Sequence, residues 1–243
     1  MRLTDFRVLT FDCYGTLIDW ETGMLDALRP LTSRLQGKLE PDEILAAHAR
    51  YESLQQVQTP TKLYSHLLAI VYKRMAEEWA LAVSWNECVR YGESVKSWTP
   101  FPDSTESLKY LKQHYKLVIL SNVDNESFSA SNDKLDITFD AVFTAEEIGN
   151  YKPNDANFHY MIEMLAQSGV NQSDILHTAE SMFHDHQPAN RLGLNSCWIN
   201  RRHGQIGFGA TRKPSELPRY DFQFTSLADM VQAHKNCLRD GSV

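Results

Sequence analysis

Asp12 ends a short apolar run, Phe6 to Phe11, and is followed at once by Cys13, Tyr14, Gly15, Thr16 and Leu17. A carboxylate is a mediocre nucleophile in water and improves when it is partly desolvated and aimed by its surroundings. A residue leaving a rigid strand end is aimed in that way. Backbone N–H groups of Cys13 and Tyr14 can cradle an anionic group, as glycine-containing turns commonly do. Thr16 can hold the Asp12 carboxylate by a hydrogen bond. Ser121 and Asn122 close a second apolar run and offer neutral donors to a substrate. Lys152, in Tyr-Lys-Pro, can neutralise the charge cluster and lower the Asp12 pKa. Glu180, Ser181 and Asp185 follow a further apolar run and add acidic and hydroxyl groups.

These residues need elements to bring them together. Phe6 to Phe11 is apolar almost throughout, as expected of a strand buried on both faces of a parallel sheet. Further strands are predicted at Tyr115 to Leu120, Asp140 to Phe143, Ile175 to Ala179, Ser196 to Ile199 and Phe222 to Phe224. Helical patterns separate them. Asp103 with Glu106 reads as a capping box for a helix through Leu111. Asn154 caps a helix carrying Phe158, Met161, Ile162 and Leu165 on one face, and Gly169 ends it. Strands alternating with helices predict an α/β fold with a doubly wound parallel sheet. Ligands of such sheets bind beyond the carboxyl ends of the strands, where Asp12, Ser121 with Asn122, and Glu180 to Asp185 should converge. From Glu21 to Trp98 the character is different: Leu, Ala, Glu, Gln and Arg recur at helical spacing, with Leu63, Leu67, Ile70 and Val71 on one face. About four helices are expected there. The chain divides into a core of 1–19 and 99–243 and an inserted all-helical cap of 20–98. Arg201 to Pro218, rich in Gly and Arg, reads as a surface loop.

The chain has 243 residues, enough for one sizeable core with a smaller cap. Acidic residues outnumber basic ones, 31 to 24, and the formal charge of -7 argues against a nucleic-acid partner. Asp5 and Arg7 interrupt any signal-like apolar stretch, and Leu117 to Leu120 is far too short to cross a bilayer. The four cysteines are scattered without a CxxC pair, which favours neither disulfides nor a zinc site and points to a cytoplasmic protein.

Phe11-Asp12-Cys13-Tyr14-Gly15-Thr16-Leu17 resembles the nucleophile loop of the haloacid dehalogenase-like (HAD) hydrolase superfamily. Ser121, the Lys152-Pro dipeptide and Glu180-Ser181-Met182-Phe183-His184-Asp185 follow in that superfamily's motif order, over nearly the whole chain. The resemblance implies a Rossmann-like core, a helical cap and an enzyme in which Asp12, Thr16, Lys152 and Asp185 are catalytic. Phosphatases of the superfamily carry a second Asp two residues after the nucleophile, which protonates the leaving oxygen. Here that position is Tyr14, as in the 2-haloacid dehalogenase branch, and a halide leaves without needing a proton. The implied reaction has two steps. Asp12 displaces halide from C2 of a small 2-haloalkanoic acid, and water then hydrolyses the aspartyl ester, with no cofactor required. Substrate contacts are expected from Cys13, Tyr14, Ser121, Asn122, Phe158 and a cap arginine, Arg50. Enzymes of that branch are commonly dimers, so the resemblance admits a homodimer, though no sequence stripe marks an interface.

Several residues depart from the branch. Glu180 and Met182 stand where it favours Ser and Asn, and Phe158 stands where it has an aromatic hydroxyl. Asp12, Glu180 and Asp185 would set three carboxylates against Lys152, a cluster that raises one pKa or recruits Mg²⁺. A Mg²⁺-dependent phosphatase acting on a small phosphorylated metabolite is therefore the second reading, and a catalytically idle pocket for a small acid the third. Plainer roles exist for each residue. Asp12 and Asp185 can be helix caps, Ser121-Asn122 can cap a helix starting near Asn125, and Lys152 can be a surface lysine. His177, His184 and His186 lack metal-ligand spacing and read as structural, with His184 able to position a water. Trp20, Trp79, Trp85 and Trp98 read as packing, one of them able to wall a pocket.

Overall fold

The computed structural model describes residues 1–37 and 39–240. Its six strands are β1 (Val8–Phe11), β2 (Lys116–Ser121), β3 (Ala141–Thr144), β4 (Ile175–Ala179), β5 (Asn195–Ile199) and β6 (Phe222–Phe224). They form one parallel sheet in the order β3-β2-β1-β4-β5-β6. The fold is therefore α/β and Rossmann-like, as the alternation predicts. β1 lies in the interior of the sheet, with Val8 paired to Lys116 on one side and Ile175 on the other. Every residue of β1 and β4 is buried. That double burial explains why these runs are apolar without alternation.

Ten helices among the described residues complete the fold. α1 (Trp20–Thr32), α2 (Pro41–Gln58), α3 (Tyr64–Glu78) and α4 (Trp85–Glu93) lie between β1 and β2 in the chain. α5 (Ser104–Leu111), α6 (Asn125–Leu135), α7 (Ala145–Ile148), α8 (Asp155–Gln167), α9 (Gln187–Arg191) and α10 (Leu227–Asp240) accompany the strands. Side chains on the two faces of the sheet enter separate clusters. Leu9, Phe11, Leu117 and Ile119 pack with Leu108 and Leu111 of α5 and Leu227 and Met230 of α10. Val8, Val118 and Leu120 pack with Phe158, Met161 and Leu165 of α8 and Ala189 of α9. Helices thus cover both faces. Asn154 caps α8 by accepting from Ala156 N at 3.0 Å, and Gly169 follows its end at φ +75°. A side chain there would be strained.

Four expectations change in the structure. Asp103 makes no side-chain cap bond for α5; its carboxylate instead pairs with Arg201 at 2.8 Å and accepts from Ala228 N at 3.1 Å. An arginine brought in from elsewhere in the chain outcompetes a local cap. α6 is capped by Asp124, which accepts from Ser127 N at 2.9 Å, rather than by Ser121 or Asn122. Asp185 is not a helix cap: it lies within a π-helical turn, Met182–His186, capped by Ser181. The segment after β5 is also more than a surface loop. Arg201 donates to Thr16 O from Nε at 3.1 Å and Nη2 at 3.0 Å, and Arg202 pairs with Glu21 of α1 and Asp42 of α2.

Candidate active site

Asp12 continues β1, donating its N–H to Thr178 O of β4 at 3.1 Å. Asp12 is 6% exposed, at the carboxyl edge of the sheet. Beyond it the chain turns tightly: Leu17 N and Ile18 N both donate to Cys13 O, at 2.8 and 3.0 Å, and Gly15 N donates to Ile18 O at 2.8 Å. Gly15 takes φ +91°, and a Cβ there would meet Trp20 Nε1 at 2.8 Å. Only glycine fits that turn. The turn brings Thr16 back beneath the carboxylate. Thr16 Oγ1 donates to Asp12 Oδ2 at 2.9 Å and accepts from Glu180 N at 2.9 Å, so its hydroxyl proton has one direction to go.

Lys152 reaches the other Asp12 oxygen. Its ammonium has three protons and three acceptors: Asp12 Oδ1 at 2.9 Å, Leu120 O at 2.9 Å and Asp185 Oδ1 at 2.6 Å. Asp185 Oδ1 also faces His177 Nε2 at 2.9 Å, and His177 Nδ1 faces Thr10 Oγ1 at 2.8 Å. A proton on Nε2 and an acceptor at Nδ1 satisfy both contacts. Asp185 Oδ2 is buried and without a hydrogen-bond partner.

The charges follow from this geometry. Burial tends to discharge Lys152, but Asp12 and Asp185 more than compensate, and its pKa is raised. Asp185 is held well below the usual carboxylate range: burial opposes ionisation, while Lys152 and His177 favour it more strongly. Asp12 goes the other way. Lys152 was expected to lower its pKa, yet burial, with Asp185 adding to it, outweighs Lys152 and Thr16, and the pKa is raised. A carboxylate so poorly compensated is a better nucleophile than one in water.

Asp12, Tyr14, Asn122, Lys152 and Asp185 line one small cavity, with Trp20, Ser181 and His184 beside them. Glu52 of α2 and Tyr64 of α3 complete its wall. The cavity holds about 20 Å³, room for about one water. Tyr14 is fixed by its hydroxyl to Ser131 Oγ at 2.8 Å, and its ring meets Trp98 edge-on at 5.8 Å. Asn122 Oδ1 accepts from Lys152 N at 2.6 Å and its Nδ2 donates to Lys152 O at 3.0 Å. It therefore holds the lysine's backbone. Ser121 Oγ is buried and without a partner, and Cys13 is fully buried.

Three expected contacts are placed elsewhere. Arg50 turns outward, its side chain 51% exposed and paired with Glu78 of α3. Position on α2 decides this, because Arg50 is two residues from Glu52 and helical residues two apart point to different sides. Phe158 is buried in the sheet packing and meets the His177 ring edge-on at 5.1 Å, beneath the site rather than within it. Glu180 lines a second cavity of about 260 Å³ with Glu21 and Arg202, and its pKa is pushed up to about 8 by burial and by Glu21. Of the three carboxylates offered as Mg²⁺ ligands, Asp12 and Asp185 line the first cavity and Glu180 the second. The Lys152 ammonium fills the space between Asp12 and Asp185, and no group of three or more His, Cys, Asp or Glu among the described residues is placed to hold a metal ion. This donor set does not fit a divalent cation.

Glu52 and Tyr64 were not legible as site residues. One signal existed: His48, Glu52 and Gln56 stand at i, i+4 spacing, and all three are buried. A polar stripe on the buried side of a helix needs a reason. Trp20 is the tryptophan that walls the cavity. His184 also lines it; burial pushes its pKa down to about 4, and its Nε2 is buried without a partner.

Residues 6–178 match the family model described as haloacid dehalogenase-like hydrolase. The (S)-2-haloacid dehalogenase 4A of Burkholderia cepacia is 25% identical over 206 residues, covering 81% of this chain and 84% of that protein. The Escherichia coli pyrimidine 5'-nucleotidase YjjG is 29% identical over 111 residues, covering 43% of this chain and 47% of its own. The L-2-haloacid dehalogenase of Xanthobacter autotrophicus superposes with a TM-score of 0.77 at 21% identity, over 98% of this chain and 100% of its own. The same enzyme with chloropropionic acid covalently bound superposes at 0.76 over the same shares, with 20% identity. With a model match across more than half its length and the sheet, turn and strand-end residues in place, this chain belongs to the haloacid dehalogenase-like hydrolases.

Proposed function

We propose that this hydrolase is of the 2-haloacid dehalogenase type, acting on small 2-haloalkanoic acids through an aspartyl ester on Asp12. The observation that carries this reading is a buried Asp12 carboxylate, gripped by Thr16 and Lys152, with no acid two residues further on. The hydroxyl at that position, Tyr14, is committed to Ser131, and burial raises its pKa further. Asp12 attacks C2, the carbon–halogen bond breaks, and halide departs. Water then adds to the ester carbonyl, with the unpaired Asp185 Oδ2 on the cavity wall as acceptor for its proton and the unpaired His184 Nε2 beside it. Lys152 holds Asp12 and Asp185 apart throughout. Cys13 and Tyr14 N–H groups and Ser121 Oγ serve the substrate carboxylate and the ester oxygen. No cofactor enters this scheme.

The four helices from α1 to α4 act as the cap. Trp20, Glu52 and Tyr64, of α1, α2 and α3, line the cavity with Asp12, which supports this reading, and a haloacid enters a space of about 20 Å³ only when they move away. Closure would then exclude bulk water while the ester forms. Among the described residues no helix is long and apolar enough to cross a membrane. The four cysteines are unpaired, which supports placement in the reducing cytoplasm. The dimer reading rests on the sequence resemblance alone.

Purified protein should release chloride from 2-chloropropionate without added metal and in the presence of chelator. Asp12→Asn should abolish release, and mass spectrometry of protein quenched during turnover should find the ester on the Asp12 peptide. Phosphate release from p-nitrophenyl phosphate that chelator stops, without halide release from any haloacid, would replace this reading with the phosphatase.

A further inference from the structure

We propose that Glu52 is the general acid of this site, donating a proton to the leaving atom, and that the enzyme is thereby fitted to 2-substituted acids whose leaving atom is a strong hydrogen-bond acceptor, fluorine being the clearest case. This rests on the dehalogenase reading and adds a residue and a substrate class to it.

The argument begins with the two walls of the cavity. The strand ends supply Asp12, Lys152, Asp185 and His184, while α2 and α3 supply Glu52 and Tyr64. Displacement at a tetrahedral carbon is in line: the leaving atom departs on the side opposite the nucleophile. With Asp12 on the strand-end wall, that side is the wall of Glu52 and Tyr64. Among the described residues lining this cavity there is no arginine. Lys152 has all three protons committed to other acceptors. A departing anion therefore meets a carboxyl group rather than a cation.

Burial favours a neutral Glu52 carboxyl and outweighs the hydrogen bond from Tyr64, which favours the charged form. Glu52 is 3% exposed. Gln56 Nε2 donates to its Oε1 at 3.2 Å, and the Tyr64 hydroxyl is within hydrogen-bonding reach. His48 Nδ1 lies 3.6 Å from Oε2, but burial pushes the His48 pKa down to about 3, so it supplies no charge. Tyr91 of α4 stands against His48, ring centroids 5.9 Å apart, and is itself neutral, its pKa raised by burial. Across the cavity Asp12 and Asp185 are acidic, Lys152 is bound to both, and His184 is neutral. Burial accordingly pushes the Glu52 pKa up to about 7. A proton held near neutral pH is suited to general acid work.

The step balances. An Asp12 oxygen forms a bond to C2 as the carbon–fluorine bond breaks, and its electron pair leaves with fluorine. The Glu52 proton passes to that atom, giving hydrogen fluoride and a Glu52 carboxylate. Water then cleaves the aspartyl ester, restoring the Asp12 carboxylate and the hydroxy acid, and the proton released returns to Glu52. Chloride and bromide, much weaker bases, gain little from the proton.

The test compares fluoride release from 2-fluoropropionate with chloride release from 2-chloropropionate. In Glu52→Gln, which keeps the shape but has no proton to give, kcat/KM for the fluoro acid should fall about 100-fold, and that for the chloro acid only severalfold. In unmodified protein the fluoro-to-chloro ratio should fall about tenfold between pH 6 and pH 8, as the required proton is lost. That second measurement needs no variant to fold. Equal losses for both substrates, or a ratio flat with pH, overturn the role of Glu52 and leave the dehalogenase standing. Failure of the unmodified enzyme to release either halide overturns both.

Discussion

Asn122 and Lys152 are joined at both ends of one amide: Lys152 N donates to Asn122 Oδ1 at 2.6 Å, and Asn122 Nδ2 donates to Lys152 O at 3.0 Å. The side chain at the end of β2 thus fixes the backbone from which the site's ammonium extends. Removing it leaves two polar backbone groups to find new partners. Asn122→Ala should lower stability by about 1–3 kcal/mol. It should also lower kcat by more than KM changes, since the lysine rather than the substrate loses its support. Denaturant unfolding and steady-state halide release measure the two effects; a loss confined to KM would instead make Asn122 a substrate contact.

Thr16 has a comparable double duty, donating to Asp12 and accepting from Glu180 N. Thr16→Val keeps the volume and removes both bonds. A hydrogen bond to a charged group is worth about 1.5–3 kcal/mol, so kcat should fall roughly 10- to 100-fold. Single-turnover halide release reads this directly. An unchanged rate would show that Lys152 alone aims the nucleophile.

Gly15 offers a test of the turn itself. Gly15→Ala must accommodate φ +91° and a Cβ 2.8 Å from Trp20 Nε1. Strain of about 1–3 kcal/mol is expected, visible as a lower midpoint in denaturant. Activity should drop as well, because the displaced residues carry Asp12 and Thr16.

Glu180 gives a pH signature for stability. Its carboxyl is pushed from the ordinary glutamate value of 4.5 up to about 8, first by burial and then by Glu21. The unfolded chain loses this proton near 4.5, while the folded chain keeps it to about 8. The contribution to stability is therefore fully present below 4.5 and is lost as pH rises towards 8. Glu180→Gln cannot ionise, so its Tm should change less between pH 5 and pH 8 than that of the unmodified protein. Parallel Tm curves for the two would remove Glu180 as the cause.

Much of the fold is readable in the sequence. Ile175–Ala179 and Phe222–Phe224 appear with the predicted bounds, and the other four strands within two residues at either end. Such runs are legible because burial on both faces and flanking breakers are properties of adjacent residues. Four helices between β1 and β2 were legible from helix-forming residues recurring at helical spacing. The cap of α5 was not: Asp103 is claimed by Arg201, nearly a hundred residues away, and no local pattern announces a competitor.

The sequence by itself determined that an acid leaves a buried strand, that a glycine and a threonine follow it, and that a lysine and a second acid stand at later strand ends. Only the tertiary structure decided which oxygen meets which proton. It turned Arg50 outward to Glu78 and Phe158 beneath His177, sent Glu180 to a neighbouring cavity, and brought Glu52 into one cavity with Asp12. The physical reason is directional. Strand order and strand-end chemistry follow from periodicity along the chain, but the direction of a helical side chain is useful only once the partner of its helix is known, and that partner is chosen by packing between distant segments.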